Sequence, residues 1–243
     1  MTSYQMVLSK ANCILRRSFV PQVTVRSSMV NSEHAGLGVF ALEAIPIDAA
    51  LCLYPGLYTP PVPFVDNSGE LVVYGPGDDE DTSYVMNLAT IGGFIDGGRL
   101  EEVQQGGGMS NPLAIGHRIN HPTDGKFPNV SVVPFLWADL KESIEANGAA
   151  ADKSDSSDSY PIPNARRQDG TPWYFCPFEH KLVWHSSAPL CQEKTNNLAG
   201  ALIVASAPIE EGSELFLDYA LRGPPYPKWA EAWYCPAGIQ KVR

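Results

Sequence analysis

The sequence contains no run approaching the roughly 18 apolar residues that a membrane-spanning helix requires. Its most apolar segment, residues 198–209, has only the length of a buried strand, and no secretory apolar core opens the chain. The reading is a protein without a membrane partner. No Cys-x-x-Cys pair occurs, and the five cysteines (Cys13, Cys52, Cys176, Cys191 and Cys235) follow no regular spacing. That excludes a disulfide framework and points to reduced thiols in an intracellular compartment. Cations are scarce: 17 Lys and Arg stand against 27 Asp and Glu, for a formal charge of −10. A protein that tracks nucleic-acid phosphates needs clustered Lys and Arg, so no nucleic-acid partner is expected, and the acidic surface suits a cationic partner instead. Acid is missing in one place. Residues 1–32 hold Lys10, Arg16, Arg17 and Arg26 and neither Asp nor Glu. Such a segment reads as a short basic arm, or as a mitochondrial import signal on a protein otherwise expected in the nucleus or cytoplasm.

What is abundant is turn chemistry. Gly and Pro contribute 21 residues each to the 243, which predicts a loop-rich, mostly β fold with a few short helices. The stretches VTVRSSMV, HAGLGVFAL, AALCLYPG and VSVVPF read as strands or strand bends. SYVMNLATIGGFIDGG reads as two short strands ending in glycines. Leu136, Leu140 and Ile144 fall at i, i+4 and i+8, the spacing of one helix face. Residues 148–170 are poor in apolar residues and read as a disordered insertion. Two apolar strands are expected around residues 173–184 and 198–207, and Pro227 opens a helical tail over 223–243.

Four pieces then occur in order: Gly36-Leu37-Gly38 before VFA, FID at residues 94–96, Asn120-His121 with Pro128-Asn129 beyond it, and EEGSELFLDY at residues 210–219. Together they resemble the SET domain of protein-lysine methyltransferases, over residues 23–222, after an N-terminal arm of 1–22. LCLYPG and NPLAIGHRIN are similar to the divergent branch represented by SET domain-containing protein nine. The resemblance implies a β-clip fold in which the polar loop GHRINHPTDGKFPN passes under the terminal segment to form a pseudoknot. It also implies methylation of a lysine in a protein substrate with S-adenosylmethionine as cofactor. Gly36, Leu37 and Gly38 would approach the amino-acid end of that cofactor, Asn120 and the His121 backbone would hold its amino group and adenine edge, and Tyr219 would stand beside the transferred methyl. Trp233, with Trp229 and Tyr234, would close over the adenine or pack a terminal helix. Tyr84 and Tyr54 are candidates for the substrate channel, with Leu217 where a larger aromatic is common in the family.

The sequence also departs from the family pattern. Asn-His-Ser-Cys-x-Pro-Asn becomes NHPTDGKFPN, so the step from His121 to Pro128 is longer, and His117 occupies a position often held by Arg. A zinc-building Cys-x-Cys after the domain is missing, and Cys176, His180, His185 and Cys191 are spaced too loosely for a structural zinc site; no metal is expected. The expected partner is a protein with an exposed lysine, a basic one by charge, and the expected state is a monomer. The rival reading is a catalytically inactive SET fold serving as a peptide-binding or scaffold module.

Overall fold

The computed structural model describes residues 3–15, 23–30, 36–55, 57–59, 63–65, 71–73, 85–88, 91–97, 115–122, 126–136, 139–140, 160–166, 172–176, 181–183, 199–221, 226, 230 and 234–236. One helix, α1 (Ser3–Leu15), precedes a series of short strands. These are β1 (Val23–Ser27), β2 (Leu37–Ala41), β3 (Ala50–Leu53), β4 (Leu57–Thr59), β5 (Pro63–Val65), β6 (Leu71–Val73), β7 (Val85–Asn87) and β8 (Phe94–Asp96). A 3-10 turn at Gly116–Arg118 leads to β9 (Val130–Leu136), β10 (Tyr160–Arg166), β11 (Pro172–Cys176), β12 (Lys181–Val183) and β13 (Ala199–Ala205). The fold class is therefore mostly β, as the turn-rich composition predicts. Among the described residues no helix is long and apolar enough to cross a membrane.

The sheet that organises the core has the order β3-β13-β9, with both pairings antiparallel. All seven residues of β13 (AGALIVA) are buried, so both faces of this central strand are covered. Alternation divides its side chains: Ala199, Ala201, Ile203 and Ala205 join the main core cluster with Tyr54, Ile119 and Leu217. Leu202 and Val204, also buried, point to the other face, and α1 lies against β3 and β9 on that sheet with Leu8 and Ala11 fully packed. Pro134 sits inside β9 opposite Ala201. It is tolerated because β9 is an edge strand, where a missing N–H breaks no second ladder. The other strands form small sheets: β1-β2, β4-β8-β7, β5-β6 and β10-β11-β12. Bridges Phe40↔Glu214 and Ile45↔Ile209 fasten the segment after β13 to the chain around β2.

Three sequence expectations change. The basic arm of residues 1–22 contains α1, whose i, i+3 pair Leu8 and Ala11 belongs to the core. Leu136 ends β9 and does not start a helix face, whereas Asp139 and the buried Leu140 are helical; Ile144 lies outside the described residues. Within the expected disordered insertion, Tyr160–Arg166 is strand β10, paired antiparallel with β11. Pairing supplies the backbone hydrogen bonds that its polar composition seemed to leave to water. The Pro-rich stretch after Tyr58 carries β5 and β6, which pair antiparallel in register Pro63↔Val73 to Val65↔Leu71. Of the helical tail, the described residues hold one bond of helical spacing, from Tyr234 N–H to Ala230 O at 2.8 Å. Cys52 and Cys235 are buried and form no disulfide, and burial pushes the Cys52 thiol well above its ordinary range, which makes it inert.

If α1 is part of the core, Leu8→Ala should lower unfolding stability by about 2–4 kcal/mol in urea titration, the usual cost of truncating a buried leucine. An unchanged midpoint would return residues 3–15 to the status of a detachable arm.

Candidate functional site

The segment Glu214 to Leu217 is hydrogen-bonded along both of its edges. On one edge Leu215 N–H donates to Val39 O (2.8 Å) and Leu217 N–H to Asn120 O (2.9 Å). On the other, Phe216 N–H donates to Asn129 Oδ1 (2.7 Å), while Asn129 Nδ2 donates to Glu214 O (3.0 Å). Phe216 O accepts the N–H groups of Asn129 (3.0 Å) and Val130 (3.2 Å). The parallel bridges Asn120↔Phe216 and Val130↔Leu217 mean that the chain from 120 to 130 passes from one side of the terminal segment to the other. This is the threading that the family resemblance implies for the polar loop GHRINHPTDGKFPN, and it explains the residue types. A short segment flanked by single bridges has no full ladder, so asparagine side chains must supply the missing backbone partners. The longer step from His121 to Pro128 leaves Asn129 in this position. Thr123, Asp124 and Gly125, within that step, lie outside the described residues.

Glu214 faces the β1–β2 hairpin from this segment. It is 2% exposed, and its carboxylate accepts Ser28 Oγ–H (2.6 Å), Met29 N–H (2.9 Å) and Asn120 Nδ2 (3.1 Å). Asn120 Nδ2 also donates to Leu37 O at 3.0 Å. Both amide protons of Asn120 are thus turned inward, which leaves its side-chain oxygen as the acceptor available to a ligand. The two glycines have different reasons. Gly36 adopts φ +51°, a conformation that disfavours a side chain, and nothing stands within 4 Å of where a Cβ would be. A Cβ on Gly38 would run into the Glu214 carboxylate, so that glycine is demanded by the protein's own side chain before any ligand is considered.

On the opposite face of the same segment, Leu217 is buried in the main cluster and Tyr219 packs against it. The Tyr219 hydroxyl donates to Ile119 O at 3.1 Å, one residue before Asn120. His121 is 4% exposed. Its Nδ1 accepts Tyr219 N–H (3.2 Å), which makes Nε2 the protonated nitrogen that donates to Cys235 O (2.7 Å). Asp218 Oδ1 lies 3.8 Å from Nδ1 and also accepts the Ala220 N–H, closing the turn after Tyr219. The Tyr234 ring lies against the imidazole with centroids 4.6 Å apart, and its hydroxyl accepts Leu221 N–H. Burial, with Asp218 nearby, raises the Tyr234 hydroxyl above the ordinary tyrosine range. His121 therefore ties the loop, the terminal segment and the tail together.

A family model described as the SET domain matches residues 36–220. The chain belongs to the SET-domain family. A search of curated proteins finds no match. Among solved structures, a proposed histone methyltransferase of Plasmodium falciparum is 13% identical with TM-score 0.34, covering 82% of this chain and 93% of that one. A humanized mutant of Chaetomium thermophilum Polycomb Repressive Complex 2, bound to the inhibitor GSK343, is 15% identical with TM-score 0.35, covering 94% of this chain and 21% of its own. At these scores the assignment rests on the family match alone. The SET fold accounts for the threaded segment and for the order of the motifs around it.

The SET core brings Gly36, Leu37, Gly38, Asn120, His121, Leu217 and Tyr219 to the two faces of one threaded segment. Tyr54 is buried in the same cluster. Tyr84, Trp229 and Trp233 lie outside the described residues, as do His34, His180, His185, Cys191 and the acidic residues 78–81. Among the described residues no group of three or more His, Cys, Asp or Glu is placed to hold a metal ion. Sequence reasoning missed Glu214, Ser28 and the Cys235 carbonyl. The signal for Glu214 was present as an acid at a position that alternates with Phe216 in an otherwise apolar strand.

His117, in the 3-10 turn that leads into Asn120, is held neutral: desolvation, aided by the charge of Arg118, lowers its pKa to about 4 from 6.5. The unfolded chain then binds the extra proton first, so this contribution to stability is complete above pH 6.5 and is lost as pH falls towards 4. His117→Gln should remove up to about 3 kcal/mol of that acid-side loss. Urea titrations of both proteins between pH 7 and about pH 4 check it, and parallel curves would contradict it.

Proposed function

We propose that this SET domain transfers a methyl group from S-adenosylmethionine to the ε-amine of a lysine in a protein substrate, and that it falls in the branch represented by SET domain-containing protein nine. The observation that carries the reading is that one threaded segment ties Asn120 and Tyr219 together through consecutive short bonds: Asn120 O to Leu217 N–H, and Ile119 O to the Tyr219 hydroxyl. In-line transfer needs the donor methyl and the accepting amine to meet at about 3–3.5 Å, and bonding to the consecutive residues Ile119 and Asn120 keeps the Tyr219 hydroxyl close to the cofactor-binding amide.

The residues fit S-adenosylmethionine by donor and acceptor type. The inward amide protons of Asn120 leave an oxygen for the α-ammonium, the glycine backbone at 36 leaves open space, and the His121 backbone follows directly. When bound, the cofactor supplies an electrophilic methyl group on a sulfonium. Tyr219 gives its hydroxyl proton to Ile119 O, so the lone pairs on its oxygen can accept an N–H from the entering amine and orient it. A lysine is less than about 0.1% neutral at pH 7. The buried surroundings of Tyr54, Ile119 and Leu217 favour the neutral form by desolvation. The acidic chain, at −10, attracts a basic substrate.

Tyr219→Phe should reduce turnover by about 10²-fold or more, since it removes the group that orients the amine, and should leave cofactor affinity within about twofold. The assay is methyl transfer to a lysine-bearing peptide library, read by mass spectrometry beside cofactor titration. Near-normal turnover would remove Tyr219 from the chemistry.

A further inference from the structure

Among the described residues Glu214 is, with His121, one of two buried polar or charged side chains, and no motif role was assigned to it. We propose that Glu214 is a positioning residue that locks the Asn120 amide with its oxygen outward, and so makes the site select ligands that carry an α-ammonium group. The inference rests on the reading that S-adenosylmethionine binds at Asn120.

The argument is one of acceptor counting. A carboxylate only accepts hydrogen bonds, and so does a backbone carbonyl. Asn120 presents Nδ2 to one of each, Glu214 Oε1 at 3.1 Å and Leu37 O at 3.0 Å. Turning the amide over would place its oxygen against two acceptors and its donors towards the ligand, which would repel an ammonium. The carboxylate is itself held in place. Ser28 Oγ–H reaches Oε1 at 2.6 Å and Met29 N–H reaches Oε2 at 2.9 Å, so both oxygens are fixed by the end of the β1–β2 hairpin. Gly38 completes the device, because any Cβ there would collide with the same carboxylate. A Gln at 214 would keep the shape but not both acceptors: with its oxygen on Met29 N–H, its amide nitrogen would face Ser28 and Asn120, the Ser28 hydroxyl would have to turn and accept, and the amide could donate to a turned-over Asn120 oxygen and release the lock.

The test uses the full chain and two ligands that differ at the amino-acid end: S-adenosylhomocysteine, which has the α-ammonium, and 5′-methylthioadenosine, which lacks the whole amino-acid moiety. Binding is followed by calorimetry and, for the weaker ligand, by ligand-observed NMR. Glu214→Gln should weaken S-adenosylhomocysteine by about tenfold and leave methylthioadenosine within about twofold, because only the ammonium contact is lost. Ser28→Ala, at a half-buried position that tolerates truncation, should act in the same direction by about threefold, and it decides the matter should Glu214→Gln fail to fold. Equal weakening of both ligands would make Glu214 a structural residue only, and unchanged affinity would remove it altogether; either result overturns the inference while leaving the cofactor reading intact. A wild-type protein that binds neither ligand would overturn both.

Discussion

Asn129 holds the molecule's central constraint. Its side chain donates to Glu214 O and accepts from Phe216 N–H, and in doing so stands in for a neighbouring strand along the inner edge of the terminal segment. Everything near the site depends on that substitution of side chain for backbone. The terminal segment has no continuous ladder, only the bridges to Phe40, Asn120 and Val130. A buried, unpaired peptide group costs about 1–3 kcal/mol, so leaving several unmet would make a threaded segment untenable. With the asparagine in place, the segment is satisfied on both edges, and its alternating side chains divide cleanly: Glu214 goes to the hairpin face, while Leu217 and Tyr219 go to the core face.

This division links packing to chemistry. The hairpin face carries a hydrogen-bonded network shared by Glu214, Ser28 and Asn120. The core face is largely apolar, and the Tyr219 hydroxyl on it is satisfied by Ile119 O. His121 adds the third attachment, to the tail at Cys235 and Tyr234, without any metal ligand set among the described residues.

The strands of the central sheet were legible because their patterns are local. In β13 an unbroken apolar run reads as a strand covered on both sides, and VSVVPF reads as β9 despite Pro134. The helix α1 was not legible, since only Leu8 and Ala11 show its buried side and a basic, acid-free composition suggested an arm. Leu136 misled because a strand end and the following helical residues placed leucines four apart by coincidence of boundary. At the site, the motifs announced Gly36, Asn120 and Tyr219, and the family resemblance they carry implied the threading. What could not be read was why Gly38 is glycine and where Glu214 points, because Glu214 lies far along the chain from Gly38 and 94 and 186 positions from its partners Asn120 and Ser28.

The most direct test of the central claim is calorimetric titration of the wild-type chain and of Asn120→Ala with S-adenosylmethionine. The account predicts saturable binding in the micromolar range for the wild type, about −8 kcal/mol, and its loss in the variant while the fold remains intact by thermal melting. Absence of binding at millimolar ligand in the folded wild-type chain would contradict it and leave a SET fold that binds no cofactor.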